Sequence, residues 1–139
     1  MVNRDLVARK IARATAWMND AEAIVSQPLD AFLGDVKSRD LATFYLFLAI
    51  QEAIDLGAHW IADAGWTPPD DTASVFDVLA GRGVIDQPLA DPLRSAAGLR
   101  NRIAHGYASV DHRRLHAESQ DGLRSLRQFF AAIASAAGL

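Results

Sequence analysis

The sequence contains no cysteine. That excludes thiol nucleophiles, disulfide staples and cysteine-ligated zinc together, and it fits a reducing cytoplasm. Long hydrophobic runs are also lacking. The longest, Leu41 to Ile50, falls short of the roughly 18 apolar residues of a membrane span and reads as buried helix, so no membrane association is expected. Near the N-terminus, Arg4, Asp5, Arg9 and Lys10 interrupt the apolar stretch that a signal peptide needs. Strand signals are almost absent. No internal repeat, low-complexity linker or second domain stands out. The expectation is a single cytoplasmic domain over residues 1–139.

What is present is helical. Half of the residues are hydrophobic, enough for a core without disulfides or metals. Asn3 is a good N-cap for a first helix carrying Leu6, Ile11, Ala14, Met18 and Ala21 at helical spacing, and Pro28 closes it or starts a short turn. Ser38 or Asp40 can open a second long helix to about Ala64, with Gly65 placed as its terminating glycine. Asp71 or Thr72 caps a third, short helix through Leu79. A fourth runs from about Leu89 or Asp91 to His105, with Gly106 ending it. Asp111 caps the last, which reaches about Ala137. About five such helices joined by short loops make an all-α compact bundle. Trp17, Trp60 and the phenylalanines fall on its core faces.

The second helix is apolar nearly all round and belongs at the centre. Its exceptions, Gln51, Asp55 and His59 with Glu52 beside them, form a polar stripe that something must satisfy: the arginines of the fourth helix, a partner subunit or solvent. Asp55, His59 and Glu52 could be drawn as a metal site, but no second histidine or cysteine sits at a convincing spacing, so no metal is assigned.

Charge is uneven. The net charge is −3, yet residues 94–116 hold five arginines, three histidines and a single acid, Asp111. A basic zone in an acidic chain suggests a site for an anion; a solvated arginine-rich helix face reads equally well. Inside it lies Arg100-Asn101-Arg102-Ile103-Ala104-His105-Gly106-Tyr107.

An arginine followed by asparagine, with histidine four residues further on near a helix end in a small all-α chain, resembles the signature of the HEPN superfamily. The following Gly106-Tyr107 is similar to the narrower HepT-type toxins of HEPN/MNT toxin–antitoxin systems. The Glu52-Ala53-Ile54-Asp55-Leu56 and Phe76-Asp77-Val78-Leu79 runs agree. The resemblance implies a ribonuclease toxin that cleaves RNA through the ribose 2′-OH without metal or cofactor. Histidine titrates near neutrality, so His105 suits general acid or base. Arginine stays charged and presents a planar fork, so Arg100 suits the phosphate clamp. Asn101 can hydrogen-bond the phosphate or fix the histidine tautomer, and Asp55 can support Arg100. Arg102, Arg113 and Arg114 are possible RNA contacts, or solvated surface. His112 and His116 read as exposed.

Residues five apart on a regular helix differ by about 140° around its axis, so Arg100 and His105 do not share a face unless the break at Gly106 releases His105. The resemblance implies a C2 homodimer with two motifs facing one cleft, which would supply both acid and base. It also implies that a nucleotidyltransferase antitoxin transfers AMP onto Tyr107, setting an anionic group where it blocks the phosphate site. The alternatives are a non-catalytic HEPN module that binds nucleotide or RNA and partners a nucleotidyltransferase, and a plain helical interaction protein.

Overall fold

The computed structural model describes residues 3–139. Among them are six α-helices and a 3-10 turn, with no strand: α1 (Arg4–Val25), α2 (Leu29–Gly34), α3 (Val36–Asp63), α4 (Ser74–Gly81), α5 (Gln87–His105), the turn Tyr107–Ser109, and α6 (His112–Ala136). The all-α bundle matches the sequence reading. The extra helix is α2, because the chain after Pro28 makes one more helical segment and buries Phe32. The start of α3 also moves. Asp35 is its N-cap, accepting from the Ser38 amide at 3.1 Å and its hydroxyl at 2.8 Å, so neither Ser38 nor Asp40 serves as the cap. α5 begins earlier than expected, with Pro88 inside its first turn, where a missing N–H costs nothing.

α3 is the axis of the bundle and packs against every other α-helix. By length and composition it could cross a membrane, but just over half of its most apolar stretch is buried inside this fold. α1 lays Ala14, Met18 and Ala21 against it. Leu93 and Ala97 of α5 and Leu123, Leu126, Phe129 and Ile133 of α6 complete the core. At its end, Gly65 takes a left-handed φ of 73°. The Trp66 and Gly65 amides then reach the Ile61 and Ala62 carbonyls, both at 3.1 Å, as a left-handed terminating residue allows.

The polar stripe of α3 divides in two. Neighbours on a helix point about 100° apart, and Glu52 turns toward α1, buried, with Lys10 Nζ at 2.8 Å and Arg13 at 3.3 Å. A buried carboxylate needs such partners. Gln51 and Asp55 face outward beside α5, and His59 pairs with Asp63 at 3.2 Å.

At Gly57, α3 lies directly against side chains of α4. A Cβ there would lie 2.6 Å from Val75 Cγ1 and 3.1 Å from Leu79 Cδ1. Gly57→Leu is therefore expected to cost about 2–3 kcal/mol through overpacking, outweighing the roughly 1 kcal/mol gain in helix propensity. Thermal melting followed by circular dichroism reads this; an unchanged midpoint would mean that α4 moves away freely.

Candidate active site

Arg100 sits in the last turns of α5 and points across to α3. Its Nε donates to Gln51 Oε1 at 2.6 Å, and its Nη1 donates to Asn101 Oδ1 at 3.0 Å. The Phe47 ring lies under the guanidinium, 5.5 Å away. Gln51 is itself fixed, because its amide nitrogen donates to Asp55 Oδ1 at 2.8 Å; a carboxylate only accepts, which sets the amide so that its carbonyl faces Arg100. Asp55 thus reaches Arg100 through Gln51 rather than directly. Among the described residues no hydrogen bond engages Arg100 Nη2. That is half of a guanidinium fork held ready for an anion.

His105 is the last residue of α5 and is exposed. Among the described residues neither ring nitrogen is hydrogen-bonded. The expected release by Gly106 does not occur. The Gly106 amide still bonds to the Arg102 carbonyl at 3.1 Å, so His105 keeps the helical register and remains about 140° from Arg100 around α5. Gly106 has φ −171°, an ordinary extended conformation, and the chain turns only after it. The 3-10 turn is pinned by Ser109, whose amide and hydroxyl both reach the Gly106 carbonyl, at 2.9 and 2.7 Å.

That turn carries Tyr107 to the beginning of α3. The phenol donates to Asp40 Oδ1 at 2.5 Å, and His112 Nε2 lies 3.1 Å from the phenol oxygen. Arg39 closes the cluster with an ion pair to Asp40 at 3.1 Å. Burial and the Asp40 carboxylate push the Tyr107 hydroxyl above its usual pKa, and the hydrogen bond from Tyr107 holds Asp40 below the ordinary carboxylate range. Burial and the nearby Arg39 lower His112. His112 is therefore not the exposed residue expected; its side chain is only 12% accessible. His116 is also engaged, against the Gln27 carbonyl at 2.7 Å and the Phe32 ring.

Asp40 and Gln51 lie eleven residues apart on α3, on nearly the same face and about 16 Å apart along the axis. Arg100 therefore marks one end of a strip of α3, and Tyr107 marks the other. The strip between is apolar and open: Leu41 is 44% and Phe44 52% exposed, with Phe47 half-buried. Phe44 is thus not the core residue that its spacing suggested.

The remaining arginines go elsewhere. Arg102 and Arg114 line a cavity of about 390 Å³ between α5 and α6, on the flank of α5 turned away from Arg100. Arg114 is paired to Glu118 at 3.1 Å, and Arg113 is exposed. Two groups at the site escaped sequence reasoning altogether. Asp40 is 67 positions from Tyr107, so no local spacing connects them, and His112 looked like surface. Gln51 was visible only as part of a polar stripe.

The same architecture recurs in known proteins. The structure superposes with a TM-score of 0.86 on a solved tri-AMPylated Shewanella oneidensis HEPN toxin in complex with MNT antitoxin, at 25% identity, covering 96% of this chain and 99% of that one. An "mRNA nuclease HepT" of Shewanella oneidensis is 25% identical over 77% of this chain and 80% of its own length. An Archaeoglobus fulgidus protein named "Putative RNase" is 39% identical over 69 residues, 49% of this chain and about half (52%) of that relative. The family model described as "Ribonuclease HepT-like" matches residues 15–133, nearly the whole bundle with the Arg100–Tyr107 segment inside it, and this chain belongs to that HepT-like family.

Proposed function

We propose that this protein is a cytoplasmic RNA endonuclease toxin, neutralised when an MNT-type nucleotidyltransferase transfers AMP onto Tyr107. The observation that carries the reading is the state of Arg100: a permanent cation braced by Gln51, Asn101 and Phe47, with Nη2 left for a phosphate. In this reading Arg100 holds the scissile phosphate as its charge builds. His105 takes the proton from the ribose 2′-OH, O2′ attacks phosphorus, and the 5′-oxygen leaves with a proton from an acid. Asn101 keeps the guanidinium in place and has its amide nitrogen left for a phosphate oxygen. Asp55 acts through Gln51. The steps draw on side chains alone and require no metal or cofactor. Arg102, Arg113 and Arg114 would meet only RNA that continues round the end of α5.

The same reading includes a C2 homodimer. The outward positions of α3 run Lys37, Leu41, Phe44, Leu48, Gln51 and Asp55, alternating by four and three as in the seam of a coiled coil. The apolar middle and the opposite charges at the two ends suit antiparallel pairing with a second copy. Lys37 would face Asp55 of the second copy, and Phe44 would face its Leu48. The Gln51 end, with Arg100, then meets the opposite end of the other α3, where the second copy's Tyr107 lies, two residues beyond its His105. Two chains join what one helix holds apart.

Intact mass after co-expression with an MNT-type nucleotidyltransferase, beside RNA cleavage in EDTA, tests the reading. The unmodified chain is expected to cleave RNA in EDTA. Co-expression is expected to add one or more AMP masses and to abolish cleavage, and Tyr107→Phe to block the addition. Absence of cleavage by unmodified protein, or a mass gain that survives Tyr107→Phe, would defeat it.

A further inference from the structure

The carboxylate of Asp40 has no evident duty in the fold. It does not cap α3, because Asp35 does. Its side chain is 44% exposed, and its ion pairs are with its own neighbour, Arg39, at 3.1 Å and, when that ring is protonated, with His112 at 4.0 Å. Yet Oδ1 sits 2.5 Å from the Tyr107 hydroxyl. A carboxylate can only accept, so the phenolic proton lies between the two oxygens and the remaining lone pair of the phenol is left to face an electrophile.

We propose that Asp40 is the general base for nucleotidyl transfer onto Tyr107, so that the toxin supplies from its own fold the group that activates its modification site. The inference rests on the reading of Tyr107 as the AMP acceptor. In the step, Tyr107 Oη forms a bond to the α-phosphorus of ATP brought by the partner enzyme. The bond from that phosphorus to the β-phosphate oxygen breaks, and pyrophosphate leaves with its electron pair. The phenolic proton passes to Asp40 and from there to solvent.

A free phenol is almost wholly protonated at neutral pH, and burial beside a carboxylate makes this one more so. Attack by preformed phenolate would therefore be slow. As the new P–O bond forms, the phenolic proton becomes strongly acidic, so even a weak base placed on it takes it. Three other groups face the phenol. Thr43 is a hydroxyl already donating to the Arg39 carbonyl at 2.9 Å, Arg39 has no basic site at neutral pH, and His112 is 3.1 Å away. Burial and Arg39 disfavour protonated His112, which makes it a poor proton acceptor and suits it to orienting the phenol. Arg39 and a protonated, neutral Asp40 would also tolerate the new phosphodiester charge as it appears.

The test follows initial rates of AMP addition by intact mass, using full-length chain, an MNT-type nucleotidyltransferase, ATP and Mg²⁺, between pH 6 and 9. Wild type is expected to react at a rate nearly independent of pH with respect to the acceptor. Asp40→Asn keeps the shape and should be about a hundredfold slower at pH 7. Its rate relative to wild type should climb about tenfold per pH unit, as phenolate takes over. His112→Gln, which loses only an orienting group, is expected to slow the reaction by the same factor at every pH, without the climb shown by Asp40→Asn. An Asp40→Asn chain modified at the wild-type rate, or slowed by the same factor at every pH, overturns the base assignment while leaving Tyr107 as acceptor. A wild-type chain that gains no AMP overturns both.

Discussion

His105→Ala is expected to lower RNA cleavage by about 10²–10⁴-fold, the usual contribution of a positioned acid or base, while leaving the melting temperature unchanged. The two halves of this result come from the same feature. His105 ends α5, is exposed, and makes no hydrogen bond among the described residues, so its removal leaves no cavity and no orphaned partner. What disappears is an imidazole free to exchange a proton with a bound ribose. Gel-based cleavage of a labelled RNA alongside thermal melting checks both halves. Cleavage within threefold of wild type would move the acid–base role to another group. A large drop in melting temperature would mean that the loss of activity came from the fold.

The bundle was legible because its helices are strongly periodic and well punctuated. Gly65 behaves as the terminating residue that its position announced, and Asp111 caps α6 by accepting from the Arg113 and Arg114 amides. α2 escaped because six residues carry too little periodicity to separate from a turn. The motif was legible as a string, but its geometry was not. Glycine after a histidine suggests a helix that lets go early, whereas Gly106 stays extended and lets go one residue too late to free His105. Asp40 was hidden for a different reason. An acid near a helix start is usually a cap, and only the fold reveals that Asp35 has taken that place and left Asp40 to the phenol. Phe44 was misjudged by the same kind of local rule. An aromatic on an apolar helix is normally core, and its exposure becomes visible only once α1 and α5 have taken the other faces of α3.

Phe44→Asp is expected to convert a dimer into monomers and to abolish cleavage with Arg100 and His105 both intact. In the proposed antiparallel pairing of α3 helices, the two-fold axis would pass between Phe44 and Leu48. One substitution per chain therefore removes two phenylalanine contacts beside the axis. Burying a phenylalanine contributes about 1.5–3 kcal/mol; two lost at about 2 kcal/mol each weaken dimerisation roughly a thousandfold, and two facing carboxylates add repulsion. The monomer should remain folded, because Phe44 is 52% exposed and supports little of the core. Its inactivity would follow from α5 alone. A regular helix places Arg100 and His105 about 140° apart, and Gly106 does not relieve this, so a lone chain offers a clamp without a base beside it. In the proposed dimer, Arg100 at the Gln51 end of one α3 would approach Tyr107 of the second copy, two residues beyond its His105, at the opposite end of the other. AMP placed on Tyr107 of one copy would then lie against the phosphate clamp of the other. Sedimentation equilibrium and cleavage assays on the same preparation decide the matter. A Phe44→Asp chain that stays dimeric would remove the α3 seam as the interface, and a folded monomer that still cleaves RNA would show that Arg100 and His105 need no second subunit.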